Sequence, residues 1–318
     1  MRAKSIVVVG SSNTDMVIRV PRIPRAGETL LGGEFFTAAG GKGANQAVGA
    51  ARSGGKVTLI ARVGSDIFGD QAIAGLRRDG IDVSCVYRDK LSPSGAALIF
   101  VAKDGENSIA VAGGANAKLS PADIKRASRV IRSAALLLVQ LETPLATVTA
   151  AVEVAAKAGV QVILNPAPAR PLANSLLKLI SILTPNETEA EILTGIKVTD
   201  GAAAAKACSK LRSRGVSTVI LTLGSRGAFL SDVNGQQLVP GFKVKTVDST
   251  AAGDIFNGAL SAALAEGKSV LDAVRFANAA AALSVTRLGA QSSAPTRTDV
   301  EKFLASSQST SSSRRGRC

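Results

Sequence analysis

A turn of small residues joins a predicted strand to a predicted helix in the stretch Val247-Asp248-Ser249-Thr250-Ala251-Ala252-Gly253-Asp254-Ile255-Phe256-Asn257-Gly258. Residues 242–247 alternate between apolar and polar side chains, as in a half-buried strand, and residues 255–266 are rich in Ala and Leu, as in a helix. Backbone N–H groups at a helix start lack partners inside the helix and, with the helix dipole, favour an anion. A carboxylate at the same place, Asp254, can take a proton from a nucleophile while those N–H groups hold a phosphoryl group. The alternative is a plain strand–turn–helix connection in which Asp254 only complements the helix dipole.

Outward from this stretch, strand and helix patterns alternate along most of the chain. Residues 5–9 form a continuous β-branched run, and further strand patterns lie at residues 57–63, 134–138, 161–164, 180–184 and 218–222. Helix patterns lie between and after them, at residues 66–79, 145–158, 172–178, 201–215, 270–286 and 300–304. Such alternation predicts an α/β fold with right-handed crossovers, in which helices flank a mostly parallel central sheet.

Polar side chains follow the ends of several of these strands. They are Asn13, Glu142, Asn165, Asn186, Thr222, Asp248 and Asp254. In an open α/β sheet, ligands bind at the carboxyl ends of the strands. Each of these residues alone is more often an ordinary loop residue, but together at one edge of a sheet they predict a ligand site.

Three segments do not fit the strand–helix alternation: residues 16–20, 28–38 and 95–112. The last contains Asp104-Gly105 between two apolar runs, which is a hairpin signal. We predict that these segments form a small separate β-sheet that covers the site as a lid and excludes water. Residues 1–305 are then a single catalytic domain, and residues 306–318 are a disordered tail rich in Ser and Arg.

A second turn of small residues, Ala39-Gly40-Gly41-Lys42-Gly43-Ala44-Asn45-Gln46-Ala47, precedes an Ala-rich helix pattern that ends near Arg52. Lys42 is not followed by Ser or Thr, and the spacing differs from that of a Walker A loop. Glycines let the backbone approach a ligand, and their N–H groups together with Asn45 can hold hydroxyls or phosphate. The plainer alternative is a glycine-rich helix entry. We favour ligand binding because so many glycines are entropically costly in a mere connection.

The composition narrows the classes of function. There is no histidine, which excludes His-dependent triads, His metal sites and histidine pH switches. The net charge is +14, but the basic residues are scattered and aromatics make up only 3%, so we expect anionic small molecules rather than nucleic acid as partners. The apolar runs are too short for a signal peptide or a membrane span, so we expect no membrane partner and a cytoplasmic enzyme.

Taken together, the motifs resemble those of the ribokinase-like (PfkB) carbohydrate kinases, from about residue 5 to residue 304. The two specific motifs are Gly40-Gly41-Lys42-Gly43-Ala44-Asn45-Gln46-Ala47 and Asp248-Ser249-Thr250-Ala251-Ala252-Gly253-Asp254. Further matches, in the same order along the chain, are Asn165-Pro166-Ala167-Pro168-Ala169, Thr184-Pro185-Asn186-Glu187-Thr188-Glu189-Ala190-Glu191 and Thr222-Leu223-Gly224-Ser225-Arg226-Gly227. The resemblance implies a ribokinase-like fold and the ATP-dependent phosphorylation of D-ribose at its 5-hydroxyl, which gives D-ribose 5-phosphate and ADP.

The resemblance also implies roles for individual residues. Asp254 is the general base, beside an anion hole formed by the backbone of Ala251, Ala252 and Gly253. The sugar-binding residues are Asn13, Asp15, Gly41, Lys42, Gly43, Asn45, Glu142 and Asp254. The ATP-binding residues are Asn186, Thr222, Leu223, Gly224, Ser225, Arg226, Gly227, Gly253, Asp254 and Asn278. Asn186 and Glu189 belong to the motif linked to Mg²⁺, and the implied ligands of an activating monovalent cation, usually K⁺, are Asp248, Thr250, Ser284, Arg287, Gly289 and Ser293.

One departure from the family pattern is Ile255, which follows the proposed base where relatives usually have Thr, Ser or another small residue. A branched side chain there can narrow the pocket or shift the helix start, and we expect it to be tolerated. Relatives often dimerise through their lid sheets, so the resemblance implies a homodimer. Apolar lid residues that a partner can cover are Leu30, Leu31, Phe35, Phe36, Leu98 and Phe100. Alternatively, these side chains cover the active site of a monomer.

Two other functions stay open at this stage. One is a kinase of the same family that acts on 2-deoxyribose, a nucleoside or a sugar phosphate, because one sequence does not reveal which hydroxyls Asn13 and Asp15 contact. The other is a catalytically silent binding protein on the same fold. Against it stand the intact Asp254 and the small residues of the anion hole.

Overall fold

The computed structural model describes residues 5–31 and 33–315, with side chains described as far as residue 307. In chain order its strands are β1 (Ser5–Val9), β2 (Asn13–Val20), β3 (Glu34–Gly40), β4 (Lys56–Gly64), β5 (Val86–Asp89), β6 (Gly95–Ala102), β7 (Asn107–Ala112), β8 (Leu136–Val139), β9 (Gln161–Leu164), β10 (Ile182–Leu183), β11 (Thr218–Thr222), β12 (Gly227–Asp232) and β13 (Gly235–Pro240). Its helices are α1 (Lys42–Arg52), α2 (Ile67–Arg78), α3 (Pro121–Arg126), α4 (Ser128–Ser133), α5 (Leu145–Lys157), α6 (Asn174–Leu177), α7 (Glu187–Thr194), α8 (Gly201–Ser213), α9 (Ala252–Ala265), α10 (Val270–Ser284) and α11 (Arg297–Arg315).

The central sheet has nine strands in the order β13-β12-β11-β10-β9-β8-β1-β4-β5. The strands from β11 to β5 pair in parallel. Their carboxyl ends therefore share one edge, as the alternation of strand and helix patterns predicted. The predicted α/β fold with a mostly parallel sheet is confirmed.

Both faces of this sheet are covered by helices, which explains why β1 is apolar without interruption. Ile6 and Val8 belong to the core on one face, which includes residues of α1, α9 and α10. Val7 and Val9 belong to the core on the other face, which includes residues of α5 and α8. Because successive side chains of a strand point to opposite faces, a doubly covered strand needs an apolar residue at every position.

An antiparallel hairpin of β12 and β13 completes one edge of the sheet and was not predicted. The strand predicted at residues 242–247 is wrong, because this segment has no strand pairing. Alternation of apolar and polar residues makes a strand only where the segment runs alongside a strand with free hydrogen-bonding groups. After β13 the chain instead crosses to the start of α9, and Val247 N–H donates to Val285 O, at the end of α10.

The lid is a separate four-stranded sheet in the order β3-β2-β6-β7. It is built from the three predicted segments, but their bounds differ. β2 begins at Asn13 rather than at residue 16, and the strand predicted at residues 28–38 is β3, Glu34–Gly40. Asn13 pairs with Gly40 and with Gly95 in this sheet, so the lid reaches down to the end of β1. Residues expected in a turn after β1 thus lie on a lid strand.

The last helix, α11, continues through Arg315, whereas the sequence predicted a disordered tail from residue 306. Val300 is fully buried and Phe303 packs against the same core, so the helix is anchored at its start. The hydroxyls of Ser306 and Ser307 both donate to Phe303 O, which extends the helical pattern into the Ser-rich segment. The final part of the predicted tail, residues 316–318, lies outside the described residues.

The described residues contain no helix that is both long and apolar enough to cross a membrane.

Candidate active site

The first turn of α9 holds Asp254 in a buried position at the edge of the sheet. Ala251 caps this helix in a left-handed backbone conformation, with φ 58°. Such a conformation costs a non-glycine residue about 1–2 kcal/mol. Ala252 N–H donates to Ser249 O (3.2 Å), but within residues 5–31 and 33–315 the N–H groups of Ala251 and Gly253 have no hydrogen-bond partner. The turn can therefore hold an anion beside Asp254, which is only 6% exposed.

Two amide side chains of α1 donate to the two oxygens of the Asp254 carboxylate. Asn45 Nδ2 lies 3.0 Å from Oδ2, and Gln46 Nε2 lies 2.9 Å from Oδ1. Asn45 and Asp254 are 209 residues apart in the chain. The packing of α1 against α9 thus brings the glycine motif and the aspartate motif, which were separate predictions, into one site.

The glycines at the start of α1 make this packing possible. Gly41 has φ 87°, and a Cβ on it would lie 2.7 Å from Asn13 N. A Cβ on Gly43 would lie 2.6 Å from the carbonyl carbon of Gly10. Heavy atoms cannot approach so closely, so the turn at the end of β1 and the first turn of α1 require glycine at both positions.

The ionisable groups of the site shift one another's protonation. Burial raises the pKa of Asp254 above its ordinary value, and the Lys42 ammonium and the two amide donors offset part of the rise. Burial alone would lower the pKa of Lys42, but the carboxylates around it, Asp254 first, raise it above its usual value. Burial, with Glu142 and Asp254 nearby, raises the pKa of Asp15 to about 6. Raised carboxylate pKa values bring these groups closer to the range in which they exchange protons at neutral pH.

The predicted sugar-binding residues lie around the start of α1 and the base of the lid. Glu142, which follows β8, accepts hydrogen bonds from Lys42 N–H (3.0 Å) and from Ser11 Oγ. The Asp15 carboxylate lies close against Gly40, because a Cβ on that glycine would be 2.3 Å from Asp15 Oδ2. Polar groups from β2, from α1 and from the turn after β8 are thus available to one hydroxyl-rich ligand.

Asn116, which the sequence analysis missed, orients the amide of Asn13. Its Nδ2 donates to Asn13 Oδ1 (2.7 Å) and to Ser12 O (3.1 Å), and its Oδ1 accepts from Ser12 N–H (2.9 Å). The oxygen of the Asn13 amide is therefore engaged, which leaves its nitrogen for a ligand. The available signal was the run Gly114-Ala115-Asn116, which repeats the Gly-Ala-Asn order of Gly43-Ala44-Asn45.

A cavity of about 660 Å³ borders the first turn of α9 at Ala252 and Gly253. Among the residues predicted to bind ATP, those that line it are Asn186, Thr222, Gly224, Ser225, Gly227, Gly253 and Asn278. Much of its apolar wall was not predicted and consists of Phe242, Val244, Ala281, Ala282 and Val285. Two of these residues come from the segment that the sequence assigned to a strand, which is why they were missed. A pocket with an apolar wall and a few polar groups is typical of a small-molecule site.

The remaining residues predicted to bind ATP do not line this cavity. Leu223 is 6% exposed and packs in the core, and Arg226 forms an ion pair with Glu187 at the start of α7. Asp254 lies buried next to Gly253, which itself faces the cavity. Asn278 reaches the cavity wall from α10, and its Nδ2 donates to Val239 O (3.1 Å) at the end of β13.

Asn186 and Glu189, predicted to lie near Mg²⁺, form a capping box at the start of α7. Glu189 N–H donates to Asn186 Oδ1 (2.8 Å), and Asn186 N–H donates to Glu189 Oε2 (2.9 Å). Burial raises the pKa of Glu189 above its ordinary value, while Lys42 acts in the opposite direction. A buried carboxylate near a phosphate site fits Mg²⁺, which binds through one or two carboxylates and substrate phosphates and keeps several waters.

Residues predicted to bind a monovalent cation lie on two segments of the chain, 248–250 and 284–293, which contact each other through Asp248. Asp248 Oδ1 accepts from Thr250 N–H (2.9 Å) and Thr250 Oγ1 (2.6 Å), and its Oδ2 accepts from Gly289 N–H (2.8 Å). Ser284 and Ser293 are buried, and each hydroxyl donates to a nearby carbonyl. A single carboxylate among hydroxyl and carbonyl oxygens fits a hard cation of low charge. The Arg287 guanidinium points elsewhere, toward Asp299 (3.6 Å), so only its backbone is available to such a cation.

Ile255, the departure from the family pattern, does not face the cavity. It is fully buried in the core between α1 and α9. A Cβ on Gly49 would lie 3.3 Å from both Cα and Cδ1 of Ile255, so the two helices are in close contact at this point. The branched side chain therefore fills the helix interface rather than narrowing the pocket, and α9 still begins at Ala252.

Comparison with known proteins agrees with this architecture. Residues 3–297 match the family model described as pfkB family carbohydrate kinase. The ribokinase of Haemophilus influenzae is 49% identical and covers 95% of this chain and 98% of its own, and the deoxyribokinase of Salmonella typhi is 40% identical with coverage of 94% and 98%. The structure of the Arabidopsis thaliana ribokinase complexed with ribose and ATP has a TM-score of 0.90 at 36% identity, over 95% of this chain and 99% of that one.

The family match spans nearly the whole chain, and the relatives named above cover nearly all of it. The fold, the order of the motifs and the placement of the two specific motifs in one site point the same way. The chain therefore belongs to the pfkB family of carbohydrate kinases, as a ribokinase-type sugar kinase.

Proposed function

We propose that this chain transfers the γ-phosphate of ATP to the 5-hydroxyl of D-ribose, giving D-ribose 5-phosphate and ADP. One observation carries the proposal. The buried Asp254 carboxylate lies between the polar groups at the base of the lid and the cavity that Gly253 lines. A base where an acceptor site meets a donor site is what in-line phosphoryl transfer requires. The two substrates are those named for the Arabidopsis thaliana ribokinase complex.

In the proposed step, the 5-oxygen of the sugar forms a bond to the γ-phosphorus while the bond from that phosphorus to the β–γ bridging oxygen breaks. The electron pair of the broken bond stays on the bridging oxygen, which leaves as part of ADP. The proton of the 5-hydroxyl passes to the Asp254 carboxylate and later to solvent. Burial, which raises the pKa of Asp254, makes it a better proton acceptor than an exposed aspartate.

The negative charge of the transferring phosphoryl group has two stabilising features in this site. The N–H groups of Ala251 and Gly253 lack partners among the described residues and lie at the positive end of the α9 dipole. Lys42 is the cation among the carboxylates of Asp254, Glu142 and Glu189. Both features are in place before substrate binds, so little reorganisation is needed during the reaction.

Two cations complete the proposal. Mg²⁺ would be held near Asn186 and Glu189 together with ATP phosphates, and it would supply charge neutralisation on those phosphates. K⁺ would be held by Asp248, Thr250 and the backbone of residues 284–293, directly before the anion hole. A cation there would stabilise the turn that carries Ala251 and Gly253.

The acceptor has one specific alternative. A deoxyribokinase is 40% identical to this chain, so 2-deoxyribose is the second candidate. The two sugars differ by a single hydroxyl, and a site that hydrogen-bonds this hydroxyl rejects the sugar that lacks it. The Asn13 amide, oriented by Asn116, and the Asp15 carboxylate are the groups on the lid that can make that distinction.

We also propose that the lid forms a homodimer. The strand register places Phe35 and Leu98 on one face of the lid, and Ile109 and Val111 on the face shared with Asp15. All four apolar side chains are more than half exposed. Apolar side chains that stay exposed on a small sheet are typical of a surface that a partner covers.

The test is ADP release from ATP and Mg²⁺ with D-ribose, 2-deoxyribose, a nucleoside and a sugar phosphate, each with and without K⁺. We expect the highest kcat/KM on D-ribose and an increase with K⁺. Asp254→Asn should lower kcat by roughly 10²–10⁴-fold while ATP binding by calorimetry is retained. Asp272→Asn, an exposed acidic residue in the first turn of α10, is the matched control and should be fully active.

Higher activity on another acceptor would change the proposed acceptor and leave the proposed mechanism as it is. A chain that binds ATP and sugar but turns over none of these acceptors would contradict the proposed function. Full activity of Asp254→Asn would contradict the role of the base.

A further inference from the structure

A chain of buried amide side chains runs beneath Asp254 along the carboxyl edge of the sheet. Gln140 Nε2 donates to Gln46 Oε1 (2.5 Å), and Gln46 Nε2 donates to Asn165 Oδ1 (3.0 Å) as well as to Asp254 Oδ1 (2.9 Å). Asn165 Nδ2 in turn donates to the backbone carbonyl of Thr184 (3.1 Å). Gln46 and Gln140 are fully buried, so water does not compete for these bonds.

The carbonyl of Thr184 determines the direction of every bond in this chain. A backbone carbonyl only accepts hydrogen bonds, so Asn165 must turn its nitrogen toward Thr184 and its oxygen toward Gln46. Gln46 must then present its nitrogen, whose two protons go to Asn165 and to Asp254. Its oxygen is fixed by the Gln140 donor. The Gln46 amide therefore cannot turn over without breaking three buried bonds.

The second amide at the base, Asn45, is not fixed in this way. Its Nδ2 donates to Asp254 Oδ2, but its Oδ1 is buried and has no hydrogen-bond partner among the described residues. An amide with one unpartnered oxygen can turn without losing a second bond. The two oxygens of the Asp254 carboxylate thus differ. Oδ1 accepts from Gln46, whose orientation is fixed, whereas Oδ2 faces Asn45, whose amide can offer either a donor or an acceptor.

We propose that Gln46 is a positioning residue that keeps Asp254 Oδ1 as a permanent acceptor, so that Oδ2 is the oxygen that receives the proton of the sugar hydroxyl. This inference rests on the proposed function, in which Asp254 is the base. Once Oδ2 carries the proton, its O–H can donate to Asn45 Oδ1 after the Asn45 amide turns. The otherwise unpartnered Asn45 oxygen then has a function in the reaction.

Thr184 also holds α9, the helix that carries Asp254. Thr184 Oγ1 donates to Asn257 Oδ1 (2.6 Å), and Asn257 Nδ2 donates to Gly253 O (2.8 Å). The hydrogen bonds from Asp254 through Gln46, Asn165, Thr184 and Asn257 therefore return to the residue next to Asp254. Such a closed ring holds the carboxylate in position from its side chain and from its backbone together.

The charged groups that face Asp254 are Lys42 from α1, Glu142 after β8, Asp15 from β2 and Glu189 from α7. Lys42 favours the ionised base and Glu142 opposes it. The Gln46 donor also favours the ionised base, so its removal raises the pKa of Asp254. Asp254 accepts a proton only when it is ionised. As the pH falls, a variant without the Gln46 donor should therefore lose activity at a higher pH than the wild type.

The experiment compares the pH dependence of kcat for wild type, Gln46→Met and Gln46→Glu. Gln46→Met keeps the approximate shape of the side chain and removes its hydrogen-bond donor. We expect kcat to fall roughly 10–100-fold. We also expect the acidic limb of the pH profile, where kcat declines as the pH falls, to move up by about one pH unit. The KM for the sugar should change less than about threefold, because Gln46 is fully buried and its amide is bonded to Gln140, Asn165 and Asp254. Gln46→Glu adds a second carboxyl group and should move the limb further. Gln71→Met, an exposed residue on α2, is the control and should match wild type.

A folded Gln46→Met with wild-type kcat and an unmoved acidic limb would overturn the inference, and so would a change confined to the KM for the sugar. A second measurement does not depend on turnover: a ¹³C NMR titration of the Asp254 carboxyl group, assigned with Asp254→Asn, should give a higher pKa in Gln46→Met than in wild type. An unchanged titration would refute the role of Gln46 even if the chain proved inactive on every acceptor. If Gln46→Met does not fold, Asn165→Leu removes the anchor with Gln46 in place, and the same direction of change is expected.

Discussion

Replacing Asp15 by Asn is expected to make the substrate-free protein more stable while weakening sugar binding. Asp15 lies on β2 at the base of the lid, and burial together with Glu142 and Asp254 raises its pKa from 3.8 to about 6. One pKa unit corresponds to about 1.4 kcal/mol. At neutral pH the ionised carboxylate therefore costs the folded state up to about 3 kcal/mol, and the neutral amide of Asn avoids this cost.

The sign of the effect depends on pH. Below the unfolded-state value of 3.8, Asp15 is protonated in both states, and Asn confers no advantage. As the pH rises, the unfolded chain loses this proton first, so the folded protein becomes less stable until its own carboxyl group ionises at about 6. The advantage of Asn should hence appear between these two values and stay constant above them.

The assay is thermal unfolding of wild type and Asp15→Asn from pH 4 to pH 8, without substrate. We expect the variant to have a Tm higher by several degrees at pH 8 and an equal Tm near pH 4. Asp104→Asn, an exposed carboxylate in the lid hairpin, is the control and should show neither effect. An Asp15→Asn variant that is no more stable than wild type at pH 8, or a difference that does not vary with pH, would refute the reasoning. Calorimetry with D-ribose then measures the expected loss of sugar affinity.

Two further predictions concern the cavity and the lid. Gly253→Ala should not destabilise α9, because a Cβ at this position meets nothing within 4 Å and helix propensity favours Ala by up to about 1 kcal/mol. The same change should lower kcat/KM for ATP about tenfold or more, because the added methyl group enters the cavity. Gly201→Ala, equally open in the first turn of α8, is its control, and an unaltered kcat/KM for ATP in Gly253→Ala would contradict the placement of the nucleotide. Ile109→Asp should convert the proposed dimer to a monomer, as measured by light scattering. The control is Val233→Asp, at an exposed residue of the β12–β13 turn, which should leave the dimer intact. A dimer that survives Ile109→Asp would place the interface elsewhere.

The fold could be predicted because its signals are local. The uninterrupted apolar run of β1 is what a strand covered on both faces needs, and helix patterns between such strands leave parallel pairing as the simple solution. The strand predicted at residues 242–247 failed for a non-local reason. The alternation is present, but the segment after the edge strand β13 does not run alongside it and instead leads to the end of α10, where Val247 N–H donates to Val285 O.

The candidate site was predicted in part, and the roles of its residues stay predictions. Asp254, Asn45 and the glycines stood out because small residues at a helix start leave the backbone N–H groups open to an anion. Asn165 was predicted only as a polar residue after a strand and Gln46 only as part of the glycine motif, and Asn116 was missed, since glutamine and asparagine are usually exposed. Only their burial and their partners make them part of the site.

The sequence by itself determined the α/β class, the existence of a lid and the two motifs that contain the proposed base and the glycine turn, because these follow from periodicity, small residues and charge along a continuous segment. The tertiary structure decided which oxygen of Asp254 meets which amide, how burial and neighbouring charges raise the pKa of Asp15, and that Ile255 fills a helix interface instead of the pocket. These properties depend on groups that are far apart in the chain, such as Asp254 and the amides of α1, which are 208 and 209 residues away. Their distances and burial exist only once α1 and α9 have packed on the sheet.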